Sequence, residues 1–528
     1  MKAPDARRSW AHSIPVIVLF LVLAVALGRW TWLATRAMAF PYPLDYGEGP
    51  LLDQVARLVL HTPLYRADLS SPPYTVANYP PLYPAVLTPF YLAFGPAYWY
   101  GRLTSWVSIL AAAALTGAVV HRFTRDTGAA LVSAALLLTI PYAAYWSVLF
   151  RIDCLALATS LAGLLLLLRS GGRVRGVVAA AFFMVAAVFV RQSYGLAAPA
   201  AAVAWLVASG HRRGLAYFLG VAAGLGGVLF LVLEVATHGG FSHNIVVANV
   251  NEYRPARVAE HFRDLATLAP VLLVFGAASL GPRVQEARAE RVFLGTYLGA
   301  AVVSALTIGK VGSNVNYFLE LSVALCLATG WGLARMKPGW KGAAAVGLLA
   351  VQVVIFIPRT EAYFGRSEAR IAHKDALDGL ADLIHEADGP VLADSDLGFL
   401  PLDHRPIYFQ PFELTQLARS GRWDPAPLAR EVLTGRFPLI LLHNPEEKEV
   451  LLERWPRMVL EALRTAYAPS GRVGNTFLFR PSSGKRSKDA TRPGGSPSSS
   501  DTPGVIEPDR RPAGSPGHEA ASTRPGSP

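Results

Sequence analysis

Charge and cysteine are what this sequence has least of. Of its 528 residues only 16% are Asp, Glu, Lys or Arg, while 52% are hydrophobic. That imbalance excludes an ordinary soluble enzyme, because runs of about twenty apolar residues with few charges read as membrane spans. The two cysteines, Cys154 and Cys326, lie in or beside apolar segments, which excludes a disulfide framework and a cysteine metal site. Long basic tracts are missing as well. The 49 Lys and Arg outnumber 37 Asp and Glu, a net charge of +12, but they fall in short clusters between apolar runs. There they act as topology signals, so nucleic acid is not an expected partner. No internal repeat is present.

What is there is a series of apolar runs. The first, Ile14 to Leu33, is too long for the apolar part of a signal peptide and lacks a clean cleavage site, so it reads as a retained helix. Further spans are expected at Tyr98–Val120, Ala129–Ser147, Cys154–Leu168, Gly176–Val190, Gly195–Ala208, Leu215–Ala236, Leu265–Leu280, Val292–Ile308, Phe318–Ala334 and Ala343–Ile357, about eleven in all. The clusters Arg7-Arg8, Arg122/Arg125, Arg169/Arg173/Arg175, Arg212-Arg213, Arg283/Arg288/Arg291 and Arg335/Lys337/Lys341 fall on alternate sides of these spans. Basic loops stay cytoplasmic, which predicts a cytoplasmic N-terminus and an extracytoplasmic C-terminal part in a multi-pass cell-membrane protein. The prolines of the segment Pro80 to Pro96 predict an interrupted, interfacial segment within a first outer loop, residues 35–97, rather than a regular helix.

The expected organisation is a transmembrane part at 1–360, an extracytoplasmic α/β domain at 361–480, and a disordered Pro/Gly/Ser-rich tail at 481–528. Within the α/β domain, helices are expected at Asp375–His385 and Pro427–Leu433. Strands are expected at Pro390–Ala393, Ile407–Phe409 and Pro438–Leu442.

Ionisable groups at membrane depth are costly, so their placement is informative. Asp45 with Glu48, Arg151 with Asp153, Arg191 with Gln192, and Lys310 with Asn314 and Asn316 all project to the same expected outer face. Asp45 and Glu48 read either as a general base or divalent-metal pair, or as acidic caps of the short helix Leu51 to Leu60. Arg151-Ile152-Asp153 reads as a site or as a local ion pair, and Arg191 as a ligand or as a snorkelling side chain. Lys310 in its glycine-bearing turn offers donors suited to phosphate, without the spacing of a P-loop, or is a polar turn. His243, Asn244, Asn249, Asn251 and His261 share another loop on that face. Asp394-Ser395-Asp396 and Gln410-Pro411-Phe412-Glu413 read as turns and packing, or as part of a domain that helps select the acceptor.

In order and sidedness these elements resemble the polytopic GT-C-type membrane glycosyltransferases, of the branch with aminoarabinose lipid A transferases and protein O-mannosyltransferases. The resemblance is carried by Gly47-Glu48-Gly49 before a horizontal helix, Pro63-Leu64-Tyr65, Tyr79-Pro80-Pro81-Leu82-Tyr83-Pro84, Asp153 opening a span, Arg191-Gln192, and Lys310 through Asn316-Tyr317. It implies a GT-C-like helical fold and sugar transfer from a polyprenyl-phosphate donor to a lipid, glycan or protein acceptor outside the cytoplasm, usually with inversion. It also implies Glu48 and Asp45 as catalytic carboxylates, and Arg191, Gln192, Lys310 and Asn316 at the donor phosphate. Tyr79, Arg151, Asp153 and Tyr317 would line or support the cavity. No cofactor is identified, though Asp45 and Glu48 admit a divalent metal. Two departures stand out: Gly47 occupies the family's usual aspartate position, leaving the base shared between Asp45 and Glu48, and Tyr79 replaces a basic residue, shifting phosphate binding to Arg191 and Lys310. The alternative is a transporter or lipid-linked-sugar flippase without transferase activity.

Overall fold

The computed structural model describes residues 14–281, 287–337 and 339–482. The Arg7-Arg8 cluster, Arg283 and the tail from Ser483 onward lie outside the described residues. Each of the eleven expected spans contains helix, but the count of eleven spans is not confirmed. Among the described residues six helices are long and apolar enough to cross a membrane: Ile14–Ala39, Trp99–Thr124, Asp153–Ser170, Arg212–Ala236, Arg288–Gly309 and Trp340–Ala372. The bent pair Pro255–Leu268 and Pro270–Ala278 makes a seventh only if taken as one span.

Proline and length account for the difference. Pro270 removes a backbone donor and disfavours helical geometry at Ala269, and the two pieces meet at 90°. Pro141 likewise starts a new helix, Pro141–Trp146, after Thr127–Thr139 ends at Ile140. Ala197–Ala208 and Leu319–Leu333, with 12 and 15 residues, fall short of the roughly 20 residues that a 30 Å hydrocarbon core requires. The proline-rich stretch corrects the expectation in the other direction. Leu82–Phe94 is a regular helix despite Pro84 and Pro89. Pro84 falls in the first turn, where its missing N–H has no helical partner, and a buried stripe of Tyr83, Leu87 and Tyr91 outweighs the one bond lost at Pro89.

The C-terminal part carries a four-stranded sheet in the order β1-β2-β4-β3, with β1 Val391–Ala393, β2 Leu439–His443, β3 Tyr467–Val473 and β4 Thr476–Pro481. β1 and β2 are parallel, and the other pairings are antiparallel. The expected strand at Ile407–Phe409 does not join the sheet. Its backbone instead crosses to the first loop, where Tyr74 N donates to Tyr408 O at 2.7 Å and Gln410 N to Tyr74 O at 2.9 Å.

The change of composition near residue 361 is not a break in the chain's structure. Trp340–Ala372 is one helix of 33 residues, tied to the first helix by Arg29–Glu361 and Arg36–Glu368 ion pairs. Beyond it, Ile407 N donates to Asp53 Oδ1 at 3.1 Å and Tyr98 Oη to Gly398 O at 2.7 Å. Backbone meets backbone here, since a Cβ on Gly49 would lie 2.5 Å from the Gly398 Cα. Replacing Gly49 by Ala is therefore expected to destabilise the protein by about 1–3 kcal/mol through overpacking. A thermal unfolding midpoint in detergent equal to that of the wild type would contradict this close approach.

Candidate active site

Gly47-Glu48-Gly49, a single motif in sequence, has three separate physical roles. Gly49 admits the Gly398 backbone. Gly47 has an ordinary φ of −78°, so its glycine answers a need for space rather than for backbone freedom. A Cβ there would run into the Arg151 guanidinium, which lies in the notch.

Glu48 is fully buried, and both its oxygens are occupied. It accepts from Arg102 Nε and Nη2 at 2.9 and 2.8 Å, from Phe150 N at 2.7 Å, and from Leu44 N at 2.6 Å. Arg102, equally buried, gives three further bonds to the carbonyls of Ala37, Phe40 and Tyr42. Burial alone would push the Glu48 carboxyl up, but the Arg102 guanidinium and the backbone donors outweigh it and hold the pKa below the ordinary value. Glu48 therefore pins the loop to the helix Trp99–Thr124. The geometry parts it from Asp45, which keeps a quarter of its side chain exposed, pairs with Arg151 and accepts from Gly47 N at 2.9 Å.

A second ion pair lies close by. Asp153, the first residue of its helix, meets Arg191, and its oxygens also accept from Asn316 Nδ2 and Trp146 Nε1, each at 2.9 Å. The Arg191 guanidinium sits over the Tyr317 ring, 4.6 Å from its centroid. Trp146 joins the two pairs, since the Arg151 guanidinium lies over its ring, 5.4 Å from the centroid, while its Nε1 donates to Asp153, and Tyr79 lies within electrostatic reach of both arginines. Lys310 makes no ion pair among the described residues; its Nζ donates to Asn249 Oδ1 at 3.3 Å. Gln192 Nε2 and Asn249 Nδ2 both donate to the Asn78 carbonyl at 2.9 Å. The structure thus brings Asp45, Arg151, Tyr79, Arg191, Gln192, Asp153, Asn316, Tyr317 and Lys310 into one connected cluster.

Of the other loop residues, Asn249 belongs to this cluster. Asn244 holds the first loop instead, accepting from Ala77 N at 2.9 Å and donating to Arg66 O at 2.8 Å, and Asn251 donates to Val311 O at 3.0 Å. His243 and His261 are not among the contacts of the cluster.

Three residues escaped the sequence reading. Arg102 carried a signal, an arginine inside an expected span. Arg257 reaches the Lys310 turn by donating to Ser313 O at 3.0 Å, and its buried Nε has no partner. Glu413, read as packing, enters from the C-terminal part and accepts from Tyr46 Oη at 2.7 Å, and burial raises its pKa.

The donor set does not suit a divalent metal at the expected pair. Glu48 is enclosed by a guanidinium and backbone N–H groups, and Asp45 faces Arg151. Among the described residues no group of three or more His, Cys, Asp and Glu could hold a metal ion.

No protein-family model and no curated protein sequence matches the chain. Solved structures do. The crystal structure of ArnT from Cupriavidus metallidurans bound to undecaprenyl phosphate aligns with a TM-score of 0.57 at 15% identity, over 88% of this chain and 98% of that one. The Archaeoglobus fulgidus oligosaccharyltransferase in its apo form aligns with a TM-score of 0.54 at 12% identity, over 91% of this chain and 76% of that one. AglB from the same organism, in complex with an inhibitory peptide and a dolichol-phosphate, gives 0.52 at 12% identity, over 89% and 75%. These neighbours are glycosyltransferases of the GT-C type.

Removing Glu48 while leaving Arg102 strands a buried charge, so Glu48→Ala is expected to cost about 3–5 kcal/mol and to lower expression and thermal midpoint. Asp45→Ala, at a part-exposed position, should leave the midpoint nearly unchanged. Equal midpoints for the two variants would contradict the division between them.

Proposed function

We propose, on the premise that this chain has the GT-C glycosyltransferase fold, that it moves a sugar from a polyprenyl-phosphate donor to a hydroxyl-bearing acceptor at the extracytoplasmic face of a membrane. The observation that carries the reading is the connected cluster of one part-exposed carboxylate, Asp45, with the cations Arg151, Arg191 and Lys310. The fold adds weight, because one neighbour is bound to undecaprenyl phosphate and another to a dolichol-phosphate.

In this reading Asp45 is the general base. It takes the proton of the acceptor hydroxyl as that oxygen attacks the anomeric carbon, and the bond from that carbon to the phosphate oxygen breaks with its electron pair leaving on the phosphate. Attack opposite the leaving group inverts the centre. The lipid phosphate gains a negative charge, and preorganised cations at that point lower the barrier. Lys310 and Arg257 suit this role best, since neither has a carboxylate partner among the described residues, whereas Arg191 is neutralised by Asp153. Asn316, whose amide is spent on Asp153, fixes that pair. Arg151 must release Asp45 for the base to act, and an incoming phosphate is a competing anion for its guanidinium. The C-terminal part then lies on the extracytoplasmic side and the N-terminus in the cytoplasm, as the basic loops indicate.

The test is incubation of the purified protein with a panel of polyprenyl-phosphate sugars, with transfer or hydrolysis scored by mass spectrometry. One or more donors should be consumed, and Asp45→Asn should reduce the rate by about 10²–10⁴-fold. An unreduced rate in Asp45→Asn removes it as base, and consumption of no donor counts against the activity itself. Lys310→Ala is expected to raise the KM for donor by about ten- to a hundredfold, through a lost charge-assisted hydrogen bond. An unchanged KM would place the phosphate elsewhere.

A further inference from the structure

We infer that Asn78 and Gln192 form a subsite that reads hydroxyl groups of the donor sugar, and that this sugar is a neutral polyol. The inference rests on the donor reading above and specifies its sugar.

The Asn78 backbone carbonyl joins three stretches of chain. It accepts from Gln192 Nε2 and from Asn249 Nδ2, and Asn249 in turn accepts from Lys310 Nζ. These bonds fix the orientation of the Gln192 amide. Its nitrogen faces the Asn78 carbonyl and, at 3.5 Å, that of Ile245, so its oxygen points elsewhere. That oxygen is buried and has no partner, and the same holds for Asn78 Oδ1. Two buried acceptors left unmet on residues that touch each other are available to a donor from outside the protein.

The chemistry of that donor is narrow. Both atoms are amide oxygens, which repel a phosphate oxygen, so Gln192 is unsuited to the phosphate-binding role expected of it. They accept from O–H or N–H groups. An ammonium would meet Lys310, bonded to Asn249 and without a carboxylate partner among the described residues, so repulsion disfavours an amino sugar. Uncharged hydroxyls meet no such penalty. In the donor the sugar is bonded directly to the phosphate, so a hydroxyl-reading subsite beside the Lys310 turn is where its ring would lie.

The test uses the full-length protein and two probes, undecaprenyl phosphate and undecaprenyl phosphate bearing a neutral hexose, with affinities measured by native mass spectrometry. Asn78→Ala keeps the backbone carbonyl that ties the three stretches and removes the side-chain amide with its acceptor oxygen. It should weaken the sugar-bearing lipid about tenfold, the worth of one hydrogen bond, and leave undecaprenyl phosphate unchanged. Asn78→Asp restores an acceptor and should restore the difference between the lipids. Gln192→Met, checked for an unchanged thermal midpoint, is a second variant with the same expected pattern. Equal losses for both lipids, or no loss for either, would overturn the subsite while leaving the donor reading standing. A wild-type protein that binds neither lipid would overturn the donor reading and the subsite with it.

Discussion

The buried pair of Glu48 and Arg102 is the constraint on which the rest of the site depends. Arg102 holds the end of the first helix and the start of the first loop through the carbonyls of Ala37, Phe40 and Tyr42, and Glu48 accepts from Leu44 and Phe150 N–H groups. Asp45 immediately follows Leu44 and Arg151 immediately follows Phe150. One carboxylate therefore sets the positions of both members of the part-exposed pair. A buried pair of this kind adds little net stability against an apolar replacement, but breaking it is costly, so its value here lies in fixing one arrangement.

Around that anchor the charges divide by accessibility. Asp153 and Arg191 neutralise each other inside the bundle and are held by Asn316, Trp146 and Tyr317. Asp45 and Arg151 form a part-exposed pair, and Gly47 leaves the notch in which the guanidinium lies. Lys310 and Arg257 flank one turn without carboxylate partners among the described residues. A cluster so built tolerates an anion beside the cations while keeping a carboxylate available at its edge.

Much of this was legible in the sequence, because membrane depth makes each polar residue conspicuous. The convergence of Asp45, Arg151, Arg191 and Lys310 followed from their common side of the apolar runs. The roles within the cluster were not legible. Nothing in the order of residues separates Glu48 from Asp45; that depends on Arg102, 54 positions away. The glycine at 47 looked like a lost aspartate and proves to be room for Arg151. The number of apolar runs says nothing of how each run is bent, as the 90° break between Pro255–Leu268 and Pro270–Ala278 shows. The hairpin of β3 and β4 did carry a signal, Gly474-Asn475 between Val473 and Thr476, which pair directly across a two-residue turn. Its first strand, β3, is mostly exposed and lacks the apolar alternation that would have drawn attention to it.

The central claim is that this cluster holds the phosphate of a lipid-linked sugar beside Asp45. A structure of the full-length protein in lipid with undecaprenyl phosphate tests it most directly. The account predicts density for the phosphate against Lys310 and Arg257, with Arg151 drawn away from Asp45. Phosphate bound at a distance from the Lys310 turn, with the Asp45–Arg151 pair intact, would contradict it.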